Sequence, residues 1–368
     1  MLYFRPLLTY FELIRYSFLY VFSFFKLIKF HKTPNEFYFA YSRDSIKLII
    51  QKLHQEKQRN INFFVPSFFC WEIIEYIKSD NVNIFWYDLD KNLNPIFNSI
   101  INTPDLILVV DFFGLQINIE SIRKFSKINN STLIFDKTHC FNNEIKLLNN
   151  EFLIQSHYKH FPIPNGASLI SNDIQSSEVE ILYNSTNFVK NDLNILIWIF
   201  KTFLIKLFKI RRYIVNDYDL KPNFTVSNSF QVEQISILSK IILKYETNKI
   251  NKLNNIYKFY NKLSQELLLK FNFIQLNNKY LNSHLYAMEF NDKQSAIQVY
   301  RLLKKLKIPV VSWPERKFIN ILPHNFQLKM KDKTDRMLFL SAFYNNQPSS
   351  KFEKRFLKKL KIISQYVN

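Results

Sequence analysis

Several short stretches of this chain are almost wholly apolar, and helical patterns separate them. They are INFFV (61–65), NIFWYDLD (83–90), DLILVVDFFG (105–114) and STLIFD (131–136). Between them run CWEIIEYIKS (70–79) and NIESIRKFSKIN (118–129), where apolar residues recur every three or four positions. A strand with a solvated face alternates apolar and polar residues. One that does not alternate must be covered on both faces. The pattern therefore predicts an α/β fold with a mostly parallel central sheet flanked by helices.

The remainder divides around that sheet. Residues 1–34 form a segment of their own, ended by HKTPN with Pro34 as breaker. FYFAYSRDSIKLIIQKLHQE reads as a loop entering a helix, and residues 177–270 read as mostly helical. HLYAMEF and MLFLSAF read as strands, DKQSAIQVYRLLKKLK as a helix and 350–367 as a terminal amphipathic helix. The expected division is an N-terminal amphipathic helical arm over 1–34, a large domain over 35–270 and a smaller C-terminal α+β domain over 271–368.

Composition excludes several classes. Apolar residues make up 47% of the 368, so the chain is not a disordered protein. The net charge of +20 invites a nucleic-acid reading, but the lysines are scattered and no nucleic-acid motif accompanies them. Cys70 and Cys140 lie far apart in no metal spacing, so neither a disulfide framework nor a metal site is expected, which fits a cytoplasmic location. The longest uncharged N-terminal run, 16–25, is too short to span a bilayer.

Four pieces fall at or just after the C-terminal ends of strands, where open α/β sheets place their ligands. They are AYSRDS (40–45), PSFFCW (66–71), FDKTHC (135–140) and SHYK (156–159). Asp136 alone reads as a helix cap with His139 beside it. Lys159 changes that reading, because a Pro-rich turn follows it carrying Gly166, one of only two glycines in the chain. A lysine able to form a Schiff base, an acid to keep a pyridine protonated, and hydroxyls with backbone N–H groups for a phosphate are the set pyridoxal phosphate needs.

Here the chain resembles the DegT/StrS-type sugar aminotransferases, of fold type I among pyridoxal-phosphate enzymes. IFDKTHCF is similar to the family's Asp-x-x-His/Gln after a strand. SHYKHFPIPNGAS is similar to a variant reading Ser-x-x-Lys before a Gly-containing turn, and VVDFFGL to a strand ending in an aromatic–Gly pair. LKKLKIPVVSWP matches a C-terminal helix–strand element, and the order holds over about residues 36–345. Both Gly114 and Gly166 land on family glycines; Gly166 would supply a turn conformation closed to other residues.

The resemblance implies an aminotransferase acting on a nucleotide-linked keto-sugar, with glutamate as amino donor, in cell-surface polysaccharide or related sugar biosynthesis. Lys159 would hold pyridoxal 5'-phosphate and shuttle protons, Asp136 would pair with the pyridine nitrogen, and His139 would sit by the phenolic oxygen. Ser156, Ser42 and Arg43 would contact the phosphate. Phe69 and Trp71 would lie about the ring face, where the stacking position itself falls on Cys70. A homodimer and small-molecule substrates are implied, with no nucleic acid. Departures from the family are Ser42 in place of a glycine, Asp111 in place of a histidine or aromatic, and a Gly-rich run reduced to NGAS. The alternative is a non-catalytic member of the same fold that binds a partner or a membrane.

Two helices bear on that alternative. In 1–34, Arg5, Thr9, Glu12, Tyr16, Ser23 and Lys26 follow one stripe opposite a wide apolar face, as in an interfacial helix at the inner leaflet or an arm on a dimer partner. In 193–212, Asn194, Lys201, Thr202, Lys206, Lys209 and Arg212 fall on one side, and the reading favoured is a domain helix with a broad buried face.

Overall fold

The apolar runs pair side by side. In a computed structural model, the described residues are 8–24, 35–78, 81–97, 102–114, 117–140, 145–188, 192–208, 231–246, 273–274, 283–305, 310–313, 322–341 and 358. The strands of the larger sheet are β1 (Glu36–Phe39), β2 (Ile61–Pro66), β3 (Val82–Leu89), β4 (Pro95–Ile96), β5 (Leu106–Val110), β6 (Thr132–Asp136), β7 (Glu151–Gln155) and β8 (Ala167–Ile170). Their order is β1-β8-β7-β6-β5-β2-β3-β4. The five central strands, β3, β2, β5, β6 and β7, run parallel.

Every residue of β5, β6 and β7 is buried. Each fully covered Ile or Phe contributes about 1.5–3 kcal/mol of transfer free energy, so this layer dominates the core. Helices at Ser42–Lys57, Trp71–Ile77 and Ile119–Asn129 supply the cover. In the first of these Ile46, Ile49, Ile50 and Leu53 are buried at helical spacing. Asn118 starts the third by accepting a bond from the Ser121 N–H at 3.2 Å.

The first stretch read as a loop contains β1, which pairs antiparallel with β8. Its four residues alternate in burial, with Phe37 and Phe39 facing inward, and the short run FYFA leads directly into the helix pattern. β8 is in turn antiparallel to β7, so β1 points the same way as the central strands. The loop after β1 therefore opens at the same edge as the loops after β6 and β7.

Four antiparallel strands make a smaller sheet: β9 (Phe273–Ile274), β10 (Leu285–Phe290), β11 (Val310–Ser312) and β12 (Met337–Ser341), in the order β11-β12-β10-β9. HLYAMEF and MLFLSAF supply β10 and β12, and the helix Lys293–Lys305 lies between. The terminal helix expected over 350–367 lies almost wholly outside the described residues, as do 1–7 and 25–34 of the N-terminal arm.

Gly166 closes the turn before β8. Its N–H donates to Ala40 O at 2.8 Å, and its carbonyl accepts from the Tyr158 N–H at 3.1 Å. With φ at +151°, a Cβ there would meet Ile163 Cδ1 at 2.8 Å. Gly166→Ala is expected to cost roughly 1–3 kcal/mol, read as a lower midpoint in urea with unchanged slope.

Candidate active site

Asp136 is the last residue of β6, and burial on all sides follows from its place in the centre of the sheet. Its Oδ1 accepts the Thr138 N–H at 2.8 Å. Desolvation pushes the carboxyl up from its ordinary value, while the charge of Lys159 and the bonds from Thr138 pull the other way. A carboxylate left half-compensated in this way favours a cation placed beside it.

Lys159 sits in a single helical turn, His157–His160, that begins after Ser156 at the end of β7. Its Nζ donates to Thr138 Oγ1 at 3.3 Å. Thr138 thus links the two site groups, accepting from the lysine with its side chain and donating to the aspartate with its backbone. The loop after β1 closes over this turn: Tyr41 and Tyr158 meet edge to face at 6.0 Å.

His139 lies flat on Phe113, with ring centroids 5.0 Å apart and planes 13° from parallel. Burial, then Lys159 and His160, hold the imidazole well below its usual range, so it is neutral. His139 Nδ1 is buried with no partner among the described residues. Its carbonyl accepts the backbone N–H of His284 at 3.1 Å, and the His284 Nδ1 lies 3.1 Å away as well. His160 completes the group, with Nε2 at 3.4 Å from Thr138 O; burial lowers its pKa to about 3. No cluster of His, Cys, Asp and Glu among the described residues is arranged to hold a metal ion.

Phe113 has φ +55°, unusual for a residue with a side chain, and precedes Gly114 at φ +76°. This bend turns Phe113, in the aromatic pair that follows β5, against His139. Phe68 and Trp313 stack there at 4.3 Å, and Phe339 of β12 lies 4.9 Å from Phe113. Residues of the smaller sheet and its flanks therefore wall the site.

The expected residues are not all equally placed. Asp136, His139 and Lys159 converge through Thr138 and His160. Ser156 caps the turn that carries Lys159, and its buried Oγ has no partner among the described residues. Ser42 and Arg43 open the helix Ser42–Lys57 at the same edge of the sheet. The Arg43 guanidinium donates to Glu72 at 2.5 Å and lies over the Tyr41 and Tyr76 rings. Phe69, Cys70 and Trp71 are half-buried at the start of the helix Trp71–Ile77, whereas Phe68 is the member of that loop stacked into the aromatic wall.

The sequence reading did not assign Thr138, His284, Phe68, Trp313 or Ser67; Ser45 stands in the YSRDS stretch that it set against the phosphate. The buried hydroxyls of Ser45 and Ser67 are partnerless among the described residues. Both follow strands that end at this edge, as Ser156 does. Lys137, the other lysine near Asp136, points elsewhere: its Nζ is 3.8 Å from Asp111 Oδ2, and Cys140 Sγ donates to the same oxygen at 3.4 Å. Burial raises Asp111 to about 6. A cleft of about 810 Å³ at the opposite edge, lined by Arg123, Lys127, Asn150 and Glu151 among others, contains none of these residues.

The eight-stranded, mostly parallel sheet with its smaller antiparallel partner is a fold shared with solved pyridoxal-phosphate enzymes. No protein-family model and no curated protein sequence matches the chain. Solved structures do. Spr1654 from Streptococcus pneumoniae, described as a sugar aminotransferase and solved in its PLP form, superposes with a TM-score of 0.66 at 11% identity, over 100% of this chain and 99% of that one. PseC of Helicobacter pylori, an aminotransferase in the biosynthesis of pseudoaminic acid, gives 0.64 at 12% identity, over 98% and 99%. The GDP-4-keto-6-deoxy-D-mannose-3-dehydratase of E. coli, with bound hydrated PLP, gives 0.60 at 14% identity over the whole of both chains.

Proposed function

We propose that the chain is a pyridoxal-phosphate-dependent aminotransferase acting on a nucleotide-linked keto-sugar, with glutamate as amino donor, in polysaccharide or related sugar biosynthesis. The observation that carries this reading is the Lys159–Thr138–Asp136 chain of contacts at the C-terminal edge of a parallel sheet. A sugar dehydratase of the same fold typically has histidine in place of the lysine; Lys159 favours amino transfer.

The residues present fit the cofactor. A fully buried carboxylate with one described partner for Oδ1 suits a pyridine N–H, and unpartnered hydroxyls at Ser45 and Ser156 with the free N–H groups of the helix Ser42–Lys57 suit a phosphate. When bound, pyridoxal phosphate supplies an electron sink beside the carbon that carries the amino group. Asp136 would hold the ring nitrogen protonated. Lys159 Nζ, aimed by Thr138, would take a proton from the donor carbon and return it to the acceptor. His139, neutral and stacked on Phe113, would supply a nitrogen for the phenolic oxygen. Ser156, Ser42 and Arg43 belong to the phosphate side, Phe69 and Cys70 to the ring face.

In this reading residues 35–270 form the cofactor domain and 271–368 the small domain. The enzyme is a cytoplasmic homodimer, with peripheral contact of residues 1–34 at the inner face of the membrane. The test is incubation with cofactor, glutamate and a panel of nucleotide-linked keto-sugars. An amino-sugar product should form together with an equal amount of 2-oxoglutarate. Cofactor binding without transfer to any panel member would favour the non-catalytic alternative.

A further inference from the structure

Asp136 and Lys159 are not the only charged pair buried at this edge of the sheet. Asp111 follows β5, Lys137 follows β6, and each is 5% exposed. Lys137 Nζ lies 3.8 Å from Asp111 Oδ2, and Cys140 Sγ donates to the same oxygen at 3.4 Å. The other oxygen, Oδ1, is buried with no partner among the described residues. The chemistry read for the site uses none of these three side chains.

Stability does not account for the pair. Taking an ammonium and a carboxylate out of water costs several kcal/mol for each ion, and an apolar pair of similar volume commonly serves a fold as well or better. Here the compensation is also incomplete. The separation of 3.8 Å is longer than a hydrogen bond, and one carboxylate oxygen is unused. Desolvation raises Asp111 to about 6, against the pull of Lys137 and Cys140. What such a group supplies is direction.

Direction is needed at this point in the chain. Residues 137–140 form a tight turn, closed by the Cys140 N–H on Lys137 O at 3.2 Å. Its two central residues are Thr138 and His139. Thr138 joins Lys159 to Asp136, and His139 lies flat on Phe113. Lys137 and Cys140 are the two ends of the same turn, and both side chains reach back to one oxygen of Asp111. That carboxylate is itself fixed, since the Asp111 N–H donates to Asp136 O at 2.9 Å. One side chain therefore holds the turn by its first and last residues, on the side away from Lys159.

We infer that Asp111 is a positioning residue: through Lys137 and Cys140 it sets the turn that aims Thr138 at Lys159 and lays His139 on Phe113. The consequence for rate rests on the catalytic reading above; the consequence for the turn does not.

The first arm of the test uses the full-length chain without cofactor, with isotope-labelled histidine rings. The ring resonance of His139, assigned with His139→Gln, is expected to carry the shift that the face of Phe113 imposes. Asp111→Leu combined with Lys137→Met replaces the pair by apolar side chains. In that variant the resonance should move toward the position of an unstacked histidine, while the urea midpoint stays at the native value or rises. Asp111→Asn keeps an oxygen for Lys137 and Cys140, and should leave the resonance nearer its native place. The second arm is amino transfer by the loaded protein. The double variant should lose roughly 10- to 100-fold in kcat with the KM of the amino donor little changed, as a misaimed group predicts, and Asp111→Asn should lose less. A His139 resonance unmoved in the double variant overturns the inference. So does a lower urea midpoint in that variant, since the pair would then be holding the fold. Absence of transfer by the native chain would instead overturn the catalytic reading, and the first arm decides the inference about the turn without it.

Discussion

Lys159→Ala is expected to lose the visible cofactor band of the protein and, with it, turnover by roughly a thousandfold or more. The size follows from the two roles proposed for this side chain, the covalent hold on the cofactor and the proton transfer. Borohydride reduction of the native chain followed by peptide mapping should place the cofactor on the peptide containing Lys159. The rival is Lys137, only one residue from Asp136 and more deeply buried than Lys159. Geometry separates the two. Lys137 Nζ lies on the far side, 3.8 Å from Asp111, whereas Lys159 Nζ touches Thr138, whose N–H binds Asp136. Label on Lys137 would overturn the assignment, and an unchanged spectrum in Lys159→Ala would do the same.

The contrast between those two lysines shows what a sequence exposes. Apolar runs flanked by helical patterns announced β2, β5 and β6, where cover on both faces leaves few polar positions to confuse the period, and also β3, although only its Tyr87 and Leu89 are buried. The Asp136, His139 and Lys159 spacing was legible because each follows such a strand. β1 was not, because half of its four residues face away from the core. His284 reaches His139 from 145 positions along the chain, and nothing local to either residue signals the meeting. Thr138 was overlooked beside Asp136, as its function is apparent only once Lys159 is seen to point at it.

The helices Tyr10–Phe24 and Asp192–Leu207 failed for a different reason. Amphipathicity locates a buried face when one face is apolar and the other polar. Here Leu13 and Phe11, or Ile195 and Ile197, lie on opposite faces and are equally hydrophobic. The first of each pair is buried and the second is open to solvent, so the buried face over 193–212 is narrower than expected. Periodicity could not say which goes inward. Packing decided it, through Tyr16 and its bond to Glu246 in one helix and the smaller Thr202 in the other.

Asp136→Asn is expected to keep most cofactor binding and lose most of the catalytic rate. Asparagine preserves the shape and still offers an oxygen to the Thr138 N–H, so the loop after β6 should hold. What it removes is the charge. In the native chain that charge is costly: burial raises the carboxyl, and the Lys159 ammonium is the first opposing cause. A protonated pyridine nitrogen would place a cation directly against that carboxylate, which lowers the cost and holds the proton on the ring. With a neutral amide the ring nitrogen has no such partner, and its proton is lost near neutral pH. The sink is then weak, and a rate loss of roughly 10²–10⁴ follows if protonation of the nitrogen is its main source of strength. Two further readouts separate this from a structural role. The visible band of Asp136→Asn should shift with pH over a range where the native band is constant, and the urea midpoint without cofactor should be unchanged or raised, because a buried charge has been removed. A lower midpoint together with near-normal transfer would make Asp136 a cap for the loop after β6 and nothing more.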